Sequence, residues 1–432
     1  MEVPKIKTQF SLLSKRRFLP LFLTQFLGAF NDNLFKSALV ILITFRLAEQ
    51  NGMNAQILIT VVAGLFILPF FLFSATAGQL ADKYEKSFLI RIVKFVEIIL
   101  MCMTAVAFQY LNLFALVILL FFMGAQSAFF GPLKYSILPQ HLEEDELVAG
   151  NGLVSAGTYI AILTGTLFGG LLILHSFGRV IISTGVVSVA VLGFITSLFI
   201  PKALPPDPEV KIDWNIPKAT WEIISYVKVI KPVFRSILGI SWFWFLGAVF
   251  LAQFPTFAKD VLGGNEQVST LFLIVFSVGV GFGSTICNRI LKGRISMKLV
   301  APACVGLSLS TLLLYTFSLL FKKGDSLVGA LVFLQDYMSW GIVLSLFLLA
   351  AFGGIYSVPM YALMQSKCPD EHRARSVAVL NITDSFAMVL SAFFVTGLLF
   401  MEMSIINIFL VLGIMNLFVT PLLSRMVGAY VD

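Results

Sequence analysis

Charge is scarce in this chain of 432 residues: Asp, Glu, Lys and Arg together make 12 % of it, against 58 % hydrophobic residues and a mean hydropathy of +0.94. Soluble globular domains carry about a quarter charged residues, so this composition excludes an ordinary soluble fold. Histidine and cysteine are scarcer still, at three and four. Cys102, Cys287, Cys304 and Cys368 form no close pair and no metal-ligand spacing, and His141, His175 and His372 are equally scattered. A disulfide framework, a zinc site and His- or Cys-based catalysis have no sequence support. The expectation is therefore no enzyme, no metal and no cofactor.

Long apolar runs are plentiful instead. Each is about 18 residues or more, enough to cross a hydrocarbon core about 30 Å thick. A membrane barrel would need alternating segments of about ten residues, which the continuous runs exclude. The sequence predicts an all-α polytopic membrane protein with twelve transmembrane helices near 19–45, 56–76, 87–109, 112–132, 147–173, 180–200, 236–258, 267–287, 298–321, 340–363, 376–400 and 403–424. Residues 1–18 form a basic tail, and the run behind them is too long for a signal sequence and lacks a small-residue cleavage site. Residues 201–235 hold six of the sixteen prolines and separate two six-helix halves, 19–200 and 236–424, leaving a tail at 425–432. Within that linker, Trp214 to Val229 is amphipathic and suits a membrane surface. Residues 325–335 are too short to span and are expected to extend the ninth helix or lie at the interface.

Lysine and arginine are distributed unevenly, 24 on the side of both termini and 5 on the other, with Lys36 inside a span. That bias places both termini in the cytoplasm. The formal charge of +7 is thereby matched to anionic lipid headgroups and asks for no nucleic acid.

The halves echo each other. FFGPLKYSILPQ at 129–140 is matched by YSVPMYALMQS at 356–366, and Asn151 in the fifth span by Asn381 in the eleventh; Pro132 and Pro359 are 227 residues apart, Asn151 and Asn381 230. Repeated halves place a substrate site where the repeats meet.

Polar residues inside the spans then become the candidates. The first span carries Asn31, Asp32, Asn33 and Lys36. A charge at a helix centre costs about 2.5–3.5 kcal/mol on insertion scales, so these groups face protein or a watered cavity. Asp32 and Lys36 are four apart and can pair on one helical face. Asn381 and Asp384 make a second intramembrane cluster, for which interhelical hydrogen bonding and ligand binding stand as equal readings. Between spans two and three, GQLADKYEK at 78–86 sets Gly78, where helices can approach closely, before Asp82 and Lys83. Asp82 can accept from a helix end or a cation, which makes the three residues a conformational lock.

That motif, the twelve spans and the long linker resemble the major facilitator superfamily. Within it, AFNDN (29–33), GPLKYSILPQ (131–140), NGLVSAGTYIAILTGTLFGG (151–170), SVPMYALMQ (357–365) and NITDSFAM (381–388) together resemble the bacterial lysophospholipid transporter family. The resemblance implies a major facilitator fold in the bacterial inner membrane. It implies flippase-like, inward movement of lysophosphatidylethanolamine and related one-chain phospholipids for re-acylation, by alternating access. Asp32 and Asn33 match that family's acidic-amide pair and would hold the headgroup ammonium and the phosphate or glycerol oxygens. Lys134 would contact phosphate, with a snorkelling lysine as the plainer reading. Gln253 stands where the family places an arginine, and Lys36, outside the family pattern, is a possible charge partner. The acidic run Glu143 to Glu146 either opens the fifth helix or docks a cytoplasmic acyltransferase or acyl-carrier-protein synthetase. Two other readings stay open: a proton-coupled exporter of amphipathic drugs, and a scramblase or binding module without alternating access.

Overall fold

The computed structural model describes residues 9–47, 50, 52–53, 55–324 and 326–427. Residues 1–8 of the expected N-terminal tail, residue 325 and residues 428–432 of the expected C-terminal tail lie outside the described residues. Among the described residues twelve long helices follow in order: α1 (Leu19–Leu42), α2 (Ala55–Lys83), α3 (Lys86–Gln109), α4 (Leu113–Ser136), α5 (Leu147–Ile173) and α6 (Gly178–Leu198), then α7 (Lys231–Thr256), α8 (Glu266–Leu291), α9 (Val300–Leu320), α10 (Tyr337–Lys367), α11 (Arg373–Phe400) and α12 (Ile405–Val427). Among the described residues eleven of these are long and apolar enough to cross a membrane. The twelfth, α3, is as long as the others but carries Lys86, Arg91, Lys94 and Glu97.

Local chemistry sets the helix ends. The Glu85 carboxylate accepts from the Ser87 and Phe88 amides and starts α3; Asn112 caps α4 by accepting from Ala115 at 3.0 Å. Lys292, with φ 53°, and Gly293, with φ 78°, turn the chain out of α8 through the left-handed region. Pro69, Pro132, Pro255, Pro359 and Pro421 lie inside helices, where neighbouring helices can re-satisfy the backbone groups a proline frees. Residues 326–335 do not extend α9, which ends at Leu320; they form a single bridge from Val328 to Gly264 and a short helix, Ala330–Phe333.

The chain divides into two compact units whose membership crosses the linker. One contains Met1–Glu143, Ile160–Ile230 and Cys368–Ser385; the other contains Glu144–Tyr159, Lys231–Lys367 and Phe386–Asp432. Each six-helix half thus gives up the beginning of one helix: α5 starts in the second unit and α11 starts in the first. In the first unit α2 packs on α4, and α6 on both α1 and α3; in the second, α10 packs on α8 and α9, and α9 on α12. Phe35, Leu39, Phe108, Leu116 and Leu120 lie in the core of the first unit. There α5 meets α1 at backbone distance, since a Cβ on Gly165 would fall 2.4 Å from the Phe30 carbonyl oxygen. Small residues allow such approach where lipid offers no hydrophobic drive.

The linker is strapped along the α2–α3 turn. Ala203 donates its amide to Glu85 at 2.8 Å, and Lys86 donates its own to the Ala203 carbonyl at 3.2 Å. Further on, the Asp207 amide reaches the Asp82 carbonyl at 3.1 Å, Lys83 the Val210 carbonyl at 2.9 Å, and the Asp213 amide Gln79 at 2.7 Å. Burial pushes the Glu85 pKa up, but hydrogen bonds from Ala203, Ser87 and Phe88 outweigh it and hold the carboxyl below its ordinary value. The linker helix, Ile216–Val229, follows Asn215 as its cap and buries Ala219, Ile223 and Val227, with α2 as its packing partner; Trp214 and Trp221 stay exposed.

Candidate functional site

The polar groups of α1 meet a second set that comes from α3 and α4. Asn31 is fully buried and donates to Glu97 at 3.1 Å and to the Val186 carbonyl of α6 at 3.2 Å. Glu97 also accepts from Gln126 of α4 at 2.9 Å and is ion-paired with Lys94, one turn before it on α3. Next to Gln126, the Ser127 hydroxyl donates to Asp32 at 2.7 Å. Because Asn31 adjoins Asp32 and Gln126 adjoins Ser127, the contacts close into a ring that runs from Asp32 through Ser127, Gln126, Glu97 and Asn31 back to Asp32. The Lys94 side chain passes between α1 and α6 over two glycines. A Cβ on Gly28 would lie 3.0 Å from its ammonium, and one on Gly193 2.9 Å from its last methylene.

Asp32 is the electrostatic hub. Lys36, Lys94, Glu97 and Lys134 all act on it. With Lys94 and Glu97 neutralising each other, one carboxylate and two ammonium groups remain: Asp32, Lys36 and Lys134. Lys36 stands 5.3 Å from the Phe66 ring centroid, and among the described residues no ion pair joins it to Asp32. Lys134 is half-buried and stands 4.6 Å from the Tyr135 ring.

A stripe on α4 gathers these groups. Ser127, Gly131 and Lys134 are spaced by four and three residues and share one helical face. Over Gly131 rests Asn381 of α11: a Cβ there would be 2.5 Å from its amide nitrogen, which is buried and makes no hydrogen bond. One face thus presents a held carboxylate, an unpaired amide donor and an ammonium. On another face of α4, Phe129 stacks on Phe73 of α2 at 6.1 Å, and Phe121 meets Phe73 edge-on at 6.3 Å.

The other expected residues are placed differently. Asn33 donates back to the Ala29 carbonyl of its own helix at 2.8 Å, and its Cβ lies against Gly165 of α5. Asn33 therefore faces another neighbour than Asp32, because successive residues turn about 100° on a helix. Asp384 is half-buried and already engaged. Gln253 is half-buried on α7 and belongs to the second unit.

The lock motif is engaged in the first unit. A Cβ on Gly78 would lie 2.8 Å from the Ala378 methyl, so α2 and α11 touch there. Asp82, fully buried, accepts from the Ala374 and Arg375 amides at 3.0 and 3.2 Å and from the Arg375 guanidinium at 2.9 Å. It therefore caps the first turn of α11 from another helix. The same guanidinium donates to Asp207 of the linker at 3.0 Å. Lys83 is spent on the linker and not on α11. In the second unit the corresponding helix carries neutral pairs near its start: Asn151 and Gln365 exchange amide hydrogen bonds at 2.7 and 3.1 Å, and Ser284 donates to Ser155 at 3.1 Å.

Sequence reasoning missed Lys94, Glu97, Gln126, Ser127 and Arg375. Lys94, one of the 24 basic residues assigned to the side of both termini, is buried inside the bundle. The available signal was a Lys and a Glu three residues apart within an apolar span.

A family model described as the Major Facilitator Superfamily matches residues 21–342. The chain belongs to the Major Facilitator Superfamily. Among curated relatives, the lysophospholipid transporter LplT of Photorhabdus laumondii is 26 % identical over 378 residues, which cover 85 % of this chain and 84 % of that one. LplT of Klebsiella pneumoniae is 26 % identical over 399 residues, 89 % of each. Among solved structures, the Escherichia coli fucose:proton symporter aligns with a TM-score of 0.69 at 13 % identity, covering 97 % of this chain and 99 % of that one. The human organic anion transporter MFSD10 gives 0.69 at 14 %, covering 94 % and 99 %. As a major facilitator protein the chain is a multi-pass membrane protein, and α3 is one of its helices despite its charges.

Proposed function

We propose that this protein transports lysophospholipids, moving lysophosphatidylethanolamine and related one-chain phospholipids inward across a bacterial inner membrane by alternating access, with both termini cytoplasmic. The observation that carries the reading is the α4 face, with Asp32 held by Ser127, Lys134 two turns away and the unpaired Asn381 amide between them. A zwitterionic headgroup is the complement of that arrangement: its ammonium suits the carboxylate, and its phosphate suits an ammonium and an amide donor. The names of the relatives support the substrate class. The lock supports alternating access, because a contact made of one carboxylate and one helix start can be made and broken as a unit. Inward delivery would supply a cytoplasmic acyltransferase or acyl-carrier-protein synthetase.

The test is uptake of labelled lysophosphatidylethanolamine by spheroplasts with and without the protein, repeated for Asp32→Asn and with a protonophore. Protein-dependent uptake that survives the protonophore and falls with Asp32→Asn is the expected result. Uptake that collapses with the protonophore would favour proton coupling through Asp32; no uptake would replace the lipid reading with a drug exporter, next assayed by efflux.

A further inference from the structure

The Lys94–Glu97 pair is more buried than any group of the proposed headgroup site and touches none of the stripe that would meet a ligand, yet it is tied to that stripe twice. Through Asn31 it reaches the residue before Asp32, and through Gln126 the residue before Ser127. It also carries two opposite charges that both act on Asp32. Full burial without a ligand contact would suit a plain structural pair. An apolar pair of equal size would serve that purpose at least as well, because both charges must be stripped of water. The glycines at 28 and 193 leave room for the whole lysine side chain, so the site is shaped around the charge.

Resting on the lysophospholipid reading, we infer that Lys94 and Glu97 are positioning residues that set headgroup selectivity: by cancelling each other, they leave the Asp32 carboxylate free to accept a headgroup cation. The sign of the effect follows from the charges. If Glu97 is neutralised, Lys94 loses its partner, turns its charge on Asp32 and masks the carboxylate. The site then presents an excess of positive charge and favours an anionic headgroup. If Lys94 is neutralised, Glu97 keeps its two amide donors but adds a negative charge beside Asp32, and the site turns against anionic headgroups. Neutralising both restores the balance of charge, with Gln at 97 offering its one oxygen to Asn31 and its NH2 group to the Gln126 amide oxygen once that amide turns over.

The experiment measures uptake of lysophosphatidylethanolamine, which has no net charge, and of lysophosphatidylglycerol, which has one negative charge. The wild type, Glu97→Gln, Lys94→Met and the double variant are compared in spheroplasts, with the thermal stability of each purified protein recorded alongside. Glu97→Gln should shift the uptake ratio about tenfold toward the anionic lipid and Lys94→Met by a similar factor the other way, the size expected of one unbalanced charge in a partly solvated interior. The double variant should return to the wild-type ratio. A purely structural pair would lower uptake of both lipids together, so an unchanged ratio, or shifts of one sign in both single variants, overturns the inference. Should Glu97→Gln fail to accumulate, the Lys94→Met shift and its reversal in the double variant decide the matter alone. A wild type that takes up neither lipid would remove the functional reading itself, an outcome distinct from an unchanged ratio.

Discussion

The two helix beginnings that cross between the six-helix halves are built on opposite principles. Where α5 begins, Asn151 and Gln365 satisfy each other with neutral amides in the second unit. Where α11 begins, a buried carboxylate holds a guanidinium and two backbone amides in the first, and the repeat-related asparagine, Asn381, is left with an unpaired amide. An amide pair is local and indifferent to charge. A carboxylate capping another helix carries charge, and losing it leaves the Arg375 guanidinium only Asp207 and the Glu371 carbonyl as partners and the first turn of α11 without its cap. The comparison teaches that one repeat element is tied by a pair of amides and the other by a charged cap, with a spare donor beside the candidate site.

The strongest way to break the contrast is Asp82→Asn, which removes the charge that holds Arg375 and the first turn of α11. Deleting one partner of a buried ion pair costs about 3–5 kcal/mol. The expected outcome is a large drop in melting temperature, with a cysteine placed at Ala378 becoming reactive to a membrane-impermeant thiol reagent; an unchanged labelling pattern would deny the contact its role as a lock. Next in size is Asn151→Leu, which removes both amide hydrogen bonds to Gln365 and should lower stability by about 1–3 kcal/mol. Asn151→Leu with Gln365→Leu should recover part of that loss in a thermal melt, as no comparable pairing would at Asp82.

Asn381→Leu should do the reverse of Asn151→Leu. Its amide nitrogen makes no bond to lose, so stability should stay within about 0.5 kcal/mol, while uptake efficiency for the labelled lipid falls about tenfold through the loss of one hydrogen bond to a charged group. Stability loss without a transport defect would assign Asn381 to packing after all. The smallest effect belongs to Glu85, outside the membrane spans. Its folded-state pKa is depressed, so its contribution is fully present above the ordinary glutamate value of about 4.3 and disappears as pH falls through the depressed one. Glu85→Gln should therefore lower the melting temperature slightly at pH 7 and make no difference in strong acid.

The helices were legible because length and hydropathy alone decide whether a segment can cross a bilayer. Even α3 was placed, although its charges take it beyond a purely compositional test. The ring around Glu97 was not, since its members lie at 31–32, 97 and 126–127 and nothing local to any of them announces the other two. Asp32 and Asn33 show the finer limit: adjacent in sequence and alike in polarity, they turn to α4 and α5 respectively, so one enters the candidate site and the other packs. The crossing of α5 and α11 between units depends on which helix faces touch, and neither hydropathy nor propensity encodes that. Residues 326–335 took a place beside Gly264 that the sequence left between two alternatives.

The strap formed by residues 203–213 bears on how the polypeptide can be divided. Because the linker is bonded to Gln79, Asp82, Lys83 and Glu85, and Asp207 shares Arg375 with Asp82, a gene cut at the end of α6 would remove a working part from the first fragment. A cut between Val229 and Lys231 would leave it whole, and that is where two co-expressed fragments have the best chance of reassembling into one transporter.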